Sequence, residues 1–130
     1  YYSNGGISIM TISIAKAIKA LGGTEFTITG EPSNEAEYQA NVKYISGVDS
    51  SKSAVFKDTQ DFTWSQVSAK QTELQTTYDG LAYARARAEA YAEIKEQLDL
   101  LYHDMAADKG DKTGEWFKAV KKVKDDNPKE

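Results

Sequence analysis

The sequence predicts an α+β protein that is mainly α-helical, with a small N-terminal α/β head, a long helix and a C-terminal αα-hairpin. Three patterns predict this class. Apolar and polar residues alternate in the short segment 25–29, as in a half-buried strand. Apolar residues recur every seven positions from Val67 onward, and a second amphipathic stripe follows a short loop near the C-terminus. We therefore divide the chain into residues 1–9, a head at 10–62 and a helical region at 63–130.

Residues 1–9 are predicted to be a translated leader or an N-terminal extension. Gly5-Gly6 can be encoded by a purine-rich string of the ribosome-binding type, and Met10 follows after three further residues. On this hypothesis Met10 is the true start of the protein. The alternative is an ordinary strand-forming segment in which the two glycines make a turn. The basic start and long apolar centre of a signal peptide are missing from these nine residues.

The head is predicted to contain two helices and two strands. A helix at 13–21 ends at Gly22-Gly23, and a strand covers 25–29. Ser33 or Asn34 can cap a second helix that continues to Gly47. The stripe of this second helix consists of Tyr38, Val42 and Ile45. Residues 54–56 are a strand candidate that could pair with 25–29.

The main feature is a predicted helix from Trp64 to about Ala107. Thr63 and Gln66 make a plausible capping box, and the segment contains no proline and one glycine, Gly80. If continuous, it would be about 65 Å long. A kink near Asp79-Gly80 and a straight rod are both open. In either case its stripe must pack on a neighbouring helix or join a coiled coil with other copies. The stripe comprises Val67, Leu74, Leu81 and Ala88, then Tyr91, Ile94, Leu98, Leu101 and Met105.

A final helix is predicted from about Gly114 to Asp125, capped by Thr113 and stopped by Asn127-Pro128. Because the preceding loop is short, this helix is expected to fold back antiparallel on residues 94–106. Trp116 and Phe117 would then cover three apolar side chains of the preceding helix, namely Leu98, Leu101 and Met105.

Composition excludes several classes of function. Twenty acidic residues outnumber sixteen basic ones and give a net charge of −4, so the chain has no general basic footprint for nucleic acid. There is no cysteine, which removes disulfides, thiolate catalysis and the commoner zinc sites. No apolar run approaches the roughly 20 residues that span a bilayer. We therefore predict no nucleic-acid partner and no membrane partner.

His103 is the only histidine, and on a helix it shares one face with Glu96 and Asp99. One histidine with two carboxylates is a weak metal signal, because strong helical sites carry two histidines at i, i+4. With Leu98 and Met105 on the opposite, buried face, the acidic face is expected to look at water. His103 is then a structural residue near a helix end, where a cation is favourable.

Three further features receive structural interpretations. The loop oxygens at 108–115 do not follow calcium-loop spacing, and two lysines interrupt them. Arg85 and Arg87 suit an exposed, charge-striped helix face better than a phosphate site. There is no Gly-x-Ser-x-Gly segment and no phosphate-cradling glycine loop. We predict no catalytic residue, no metal site and no cofactor.

Protein–protein contacts are the remaining class. Eight tyrosines are spread mostly over the helices, where tyrosine suits either the rim of a core or a subunit interface. The apolar seam of the long helix is interrupted by polar or small residues between 70 and 90, and such an under-filled seam also favours association. The residues predicted to make such contacts are Val67, Leu74, Tyr78, Leu81, Tyr91, Leu98, Leu101, Met105, Trp116 and Phe117.

The order of segments resembles a group of small proteins of marine tailed phages. It runs from EFTITG through GVDS and FTW to YARARAEAYAEIKEQLDLLYHDM and WFKAVKKVKDDNPK. The most specific part is the pairing of QLDLLYH with the closing WFKAVKKVK-x-x-NPK, and the resemblance covers nearly all of 10–130. Those proteins are described as virion-structural, tail-associated or tail-fibre-associated. The resemblance brings no enzymatic motif.

The chain departs from that group at one place. The group often has Tyr-Pro-Ser-Ile where this chain has Tyr91-Ala92-Glu93-Ile94. Because a proline there would end or kink a helix, its absence predicts a continuous helix through 88–106.

The resemblance implies a non-enzymatic structural component of a tailed-phage virion, located at the tail or tail fibre. It would be a homo-oligomer that contacts other phage structural proteins, in the host cytoplasm during assembly and then in the virion. The alternative is an assembly chaperone for a tail or fibre protein that is not retained in the particle. A third hypothesis, an enzyme, would need a pocket that gathers His103 with residues of the N-terminal half.

Overall fold

The computed structural model describes residues 2–4 and 7–129, with side chains from residue 10 onward. The predicted α+β class with mainly helical content is confirmed. The described chain forms two compact units, one built around residues 8–78 and the other around 79–129. The elements are β1 (Tyr2–Asn4), β2 (Ile7–Ile9), α1 (Ile14–Ala20), β3 (Phe26–Ile28), α2 (Glu35–Asn41), β4 (Val42–Val48), β5 (Ala54–Phe56), α3 (Trp64–Gly80), α4 (Ala82–Ala90), α5 (Ile94–Ala106) and α6 (Glu115–Asp126).

The N-terminal segment contains the strands β1 and β2, which pair with each other. The strand-forming alternative is therefore confirmed for 2–4 and 7–9. Gly5-Gly6, expected either as a turn or as the trace of a ribosome-binding string, lies outside the described residues. The leader hypothesis for 1–9 stays a prediction.

Helix α1 begins and ends where the sequence predicts. The Ser13 hydroxyl accepts a hydrogen bond from the Lys16 N–H at 3.1 Å, and Ile14 and Ile18 are fully buried. Each glycine of the pair that ends the helix is required for its own reason. Gly22 has φ +101°, and a Cβ on Gly23 would lie 2.5 Å from Ile18 Cγ2.

The second helix starts as predicted but ends early. Asn34 caps α2 through its side chain, which accepts from the Glu37 N–H at 2.9 Å. The predicted continuation to Gly47 is wrong, because α2 stops at Asn41 and 42–48 is strand β4. Val42 and Tyr44 are buried while Lys43 between them is exposed, which is the period of a strand.

Strand β4 is the centre of a three-stranded antiparallel sheet of order β3-β4-β5. Phe26 lies opposite Tyr44, and Ile28 lies opposite Val42. The predicted strand at 54–56 is confirmed, but its expected partner is wrong, since β5 pairs with β4 and not with 25–29. Residues 42–47, predicted as helix, form the central strand of this sheet.

The core of the first unit is formed by α1, α2, β4 and the first turns of α3. Its fully buried side chains include Ile14, Ile18, Tyr38, Val42, Tyr44 and Val67. The Tyr38 and Tyr44 hydroxyls lie 2.7 Å apart, and Tyr38 also donates to the Phe62 carbonyl oxygen at 2.6 Å. The buried hydroxyls therefore have hydrogen-bond partners.

Helix α3 carries the predicted capping box and two glutamines that hold residues 10–12. The Gln66 N–H donates to Thr63 Oγ1 at 3.1 Å, and the Thr63 N–H donates to Gln66 Oε1 at 2.9 Å. Gln71 donates to the Ile12 carbonyl at 2.7 Å, while Gln75 accepts from the Ile12 N–H at 2.7 Å. Polar residues occupy this part of the seam because they satisfy an extended backbone segment.

The long helix is interrupted twice. The first break lies at Gly80-Leu81, where α3 ends and before α4 begins, so an uninterrupted helix from 64 to 107 is wrong. The second lies at residues 91–93, where Tyr91 (ψ 139°) and Glu93 (ψ 150°) are extended. The predicted continuity through 88–106 is therefore wrong.

The second break follows from packing on α6. Both α4 and α5 contact this 12-residue helix, which is about 18 Å long. A straight helix over 82–106 would be about 37 Å long and would run past it. Breaking the chain at 91–93 lets both halves contact α6.

The predicted αα-hairpin of α5 and α6 is confirmed, but α5 is rotated relative to the expectation. Gln97, Leu100 and Asp104 face α6, whereas Leu98 and Met105 are exposed. The prediction that Trp116 and Phe117 cover Leu98 and Met105 is therefore wrong. The Asp104 carboxylate binds the start of α6, and this contact sets the rotation of α5.

Candidate functional site

The histidine predicted to face water does so. His103 Nε2 lies 3.5 Å from Asp99 Oδ2, and both side chains are about two-thirds exposed. Glu96 is exposed as well. Within the described residues, no group of three or more His, Asp or Glu side chains is placed to hold a metal ion. An exposed pair of this kind contributes little to stability.

The loop before α6 is organised by Asp111. Asp111 Oδ1 accepts from the Thr113 N–H at 2.8 Å and from the Thr113 hydroxyl at 2.6 Å. These hydrogen bonds hold the pKa of the Asp111 carboxyl below its usual value. Since Thr113 is engaged there, the prediction that it caps α6 is wrong, and Gly114 is the N-cap residue.

A carboxylate from α5 supplies the missing cap. Asp104, which is 7% exposed, accepts from the Trp116 N–H through Oδ2 at 2.8 Å. A Cβ on Gly114 would lie 2.2 Å from the Lys109 carbonyl oxygen and 2.8 Å from Asp104 Oδ2. A negative charge at a helix N-terminus is favourable. The sequence analysis missed this residue because its partner is twelve positions away.

An arginine from α4 binds the other end of α6. Arg87 Nε donates to the Asn127 carbonyl at 2.8 Å, and its guanidinium lies 5.1 Å from the centre of the Tyr83 ring. A cation at a helix C-terminus is favourable. The structure therefore gives Arg87 a packing role. The expectation that Arg85 and Arg87 lie on an exposed helix face is wrong, because both side chains are half-buried.

Five of the residues predicted to make contacts lie before α5. Val67 is fully buried in the core of the first unit, so it offers no exposed surface. Leu74 and Tyr78 are half-buried on α3, and Leu81 is exposed at the first helix break. Tyr91 is half-buried at the second break.

The other five lie on the hairpin, where Leu98 and Met105 are exposed and Leu101, Trp116 and Phe117 are half-buried. Trp116 and Tyr91 line a groove of about 290 Å³ together with Leu100 and Val123. Trp116 Nε1 donates to Gln97 Oε1 at 3.3 Å beside this groove. Among the described residues that line it, Glu96 is the one carboxylate, so the groove does not assemble the acid, base and nucleophile of an active site.

The most exposed apolar surface of the second unit lies on α5. We call it the apolar face of α5 and define it by Ile94, Leu98, Leu101, Tyr102 and Met105. Ile94 is 70% exposed, Leu98 60%, Tyr102 67% and Met105 63%, while Leu101 is half-buried. Ile94 and Tyr102 were absent from the predicted contact set. Their spacing of four residues on either side of Leu98 is the signal that could have found them.

Comparison with known proteins adds no family. No protein-family model, curated protein or solved structure matches this chain. None of the described helices combines the length and apolar character needed to cross a bilayer.

Proposed function

We propose that this protein is a non-enzymatic structural component of a tailed-phage virion, associated with the tail or tail fibre, and that it acts through protein–protein contacts of α5. The apolar face of α5 carries the proposal. Burying one leucine-, isoleucine- or methionine-sized side chain contributes roughly 1.5–3 kcal/mol. Three such side chains, Ile94, Leu98 and Met105, are each at least 60% exposed and gain most when a second protein surface covers them.

The virion setting rests on the sequence resemblance and not on the surface. The extended break at 91–93 falls where the resembling phage proteins often carry Tyr-Pro-Ser-Ile. A break in the helix at that place is what such a proline would cause. This local agreement supports the proposal.

Mass spectrometry of purified phage particles tests the virion assignment. A structural component is expected at a fixed copy number per particle. A chaperone, the alternative function, is expected in infected cells and not in finished particles. A chain that is abundant in lysates and missing from particles would therefore overturn the structural assignment.

A phage that encodes Leu98→Asp tests the surface itself. The charge removes the benefit of burying the face, so incorporation of the protein into particles is expected to fall strongly. Asp99→Asn is the matched control, because Asp99 is the next residue, is exposed and lies outside the apolar face. Equal incorporation of both variants would contradict a role for this face.

A further inference from the structure

The apolar face of α5 has the spacing of a coiled-coil seam. Ile94, Leu98, Leu101 and Met105 are separated by four, three and four residues. This alternation is the narrow a/d seam of two paired helices, whereas a helix on a globular core shows a broader stripe. Helix α6, the hairpin partner of α5, does not cover this seam, because it packs on Gln97, Leu100 and Asp104.

We propose that two copies of this chain pair through antiparallel α5 helices. The inference rests on the proposed function, in which this face is a contact surface. The partner on that surface is a second copy of the same chain. A two-fold axis that passes between Asp99 and Leu100 matches the seam to itself. It sets Ile94 opposite the partner's Met105 and Leu98 opposite the partner's Leu101, so each large apolar side chain meets another.

The edges of the seam favour the antiparallel arrangement. One edge, at Gln97 and Asp104, is already covered by α6, while Lys95 and Tyr102 lie on the free edge. In an antiparallel two-fold pair, the two free edges meet on one side and the two edges that α6 covers meet on the other. In a parallel pair, each free edge would meet the edge that α6 occupies.

Charge also fits this pairing. The free edges bring Lys95 alongside the partner's Tyr102, where the lysine stem can pack and its ammonium can lie over the ring. In the single chain, Lys95 makes an exposed ion pair with Glu93 at 3.6 Å, which is easily exchanged. Glu96 and His103 project from the far side of α5 and stay in water, so the pairing buries no carboxylate.

Sedimentation equilibrium of the full chain tests self-association. We expect a dimer, and we expect Leu98→Asp to weaken it about 100-fold or more, because the symmetric interface contains that residue twice and each tenfold step is 1.4 kcal/mol. Asp99→Asn is expected to leave the dimer unchanged. Circular dichroism is the check that both variants fold. A folded wild-type monomer at every concentration overturns the proposal.

Cysteine cross-linking tests the direction, since the chain has no cysteine of its own. In the antiparallel pair, position 94 lies next to the partner's Met105 and about 16 Å along the axis from the same position of the partner. Oxidation of Ile94→Cys mixed with Met105→Cys is therefore expected to give the mixed disulfide, while Ile94→Cys alone gives none. Efficient cross-linking of Ile94→Cys alone would overturn the antiparallel pairing.

The pairing and the proposed function can fail separately. A monomeric chain that is still present in particles, with incorporation that Leu98→Asp abolishes, overturns the pairing and assigns the face to a different protein. A dimer that is missing from particles supports the pairing and overturns the virion role.

Discussion

Two charged side chains from other helices bind the ends of α6. Asp104 accepts from the Trp116 N–H at the start, and Arg87 donates to the Asn127 carbonyl at the end. Each charge has the sign that the helix dipole favours at its position. These two contacts position α6 against α4 and α5, and therefore decide which face of α5 remains exposed.

We expect Asp104→Ala to destabilise the protein by about 1–2 kcal/mol, because it removes a buried cap from the Trp116 N–H. Asp104→Asn keeps an acceptor oxygen and should cost less. Asp99→Ala, at an exposed carboxylate on the same helix, should change the stability by less than about 0.5 kcal/mol. Urea unfolding measures all three, and equal effects of Asp104→Ala and Asp99→Ala would contradict the capping role.

The buried tyrosine pair has a defined donor order. A carbonyl oxygen can only accept, so the Tyr38 proton goes to Phe62 and Tyr44 donates to the Tyr38 oxygen. Tyr38→Phe leaves both the Phe62 carbonyl and the Tyr44 hydroxyl without their partner. Tyr44→Phe removes the hydroxyl that donates to the Tyr38 oxygen, and every remaining hydroxyl donor keeps its acceptor.

We therefore expect Tyr38→Phe to cost roughly 2–3 kcal/mol and Tyr44→Phe about 1 kcal/mol. Chemical denaturation of the two single variants gives the comparison. If Tyr44→Phe proves the more damaging change, this donor order is wrong.

The same pair predicts a loss of stability in alkali. Burial raises the pKa of both the Tyr38 and the Tyr44 phenol above the usual value of about 10. The folded protein therefore keeps protons that the unfolded chain releases above that pH. The stability contributed by the neutral phenols is fully present below about pH 10 and is lost as the pH rises further.

Thermal melts between pH 8 and pH 11.5 measure this effect. The Tm is expected to fall above pH 10 in the wild type, and to fall less steeply in the Tyr38→Phe/Tyr44→Phe double variant. The double variant controls for lysines that titrate in the same range. If the Tm falls equally steeply with pH in the two proteins, the two tyrosines are not the cause of the loss of stability.

Among the elements, the extended segment at 91–93 ends one helix and starts the next without proline or glycine. Tyr91 has φ −67° and ψ 139°, the backbone conformation that a residue before proline prefers. The conformation of Tyr91 is therefore compatible with a proline at position 92, where this chain has alanine.

We expect Ala92→Pro to change the stability by less than about 1 kcal/mol, because the chain is already extended there. Ala88→Pro, four residues earlier inside α4, should cost about 3 kcal/mol or more. Differential scanning calorimetry of both variants checks the break. Similar losses at the two positions would indicate a continuous helix through 88–106.

The hairpin of α5 and α6 depends on Trp116, which lines the groove between them and donates to Gln97. Trp116→Ala is expected to unfold the hairpin, with a loss of roughly 3–5 kcal/mol and of helical signal at 222 nm. Phe117→Ala is a matched aromatic truncation on the same helix that does not line this groove, and it should cost less. Unchanged helicity and Tm in Trp116→Ala would contradict the hairpin packing.

At the scale of the whole molecule, apolar side chains are divided between a closed core and an open face. The first unit has its buried core around Tyr38, Tyr44 and Val67, while Val48 and Phe56 of its sheet are exposed. The second leaves Ile94, Leu98 and Met105 largely exposed on α5. In the proposed function, the apolar face of α5 is the contact surface.

Local signals in the sequence determined the class of the fold and the starts of several elements. The caps at Asn34 and Thr63 and the glycine pair after α1 act within a few residues, so they can be read from neighbours alone. The position of the hairpin followed from its short loop in the same way. The resemblance to phage proteins and the leader hypothesis stay predictions.

Tertiary contacts decided the rest. Residues 42–47 fit a helical stripe as well as a strand, and pairing with β3 and β5 selected the strand. The break at 91–93 and the rotation of α5 depend on α6, which the chain reaches more than ten residues later. Periodicity shows that a helix has an apolar side but not which neighbour covers it. The exposed face of α5 is set by the contact of Asp104 with the start of α6.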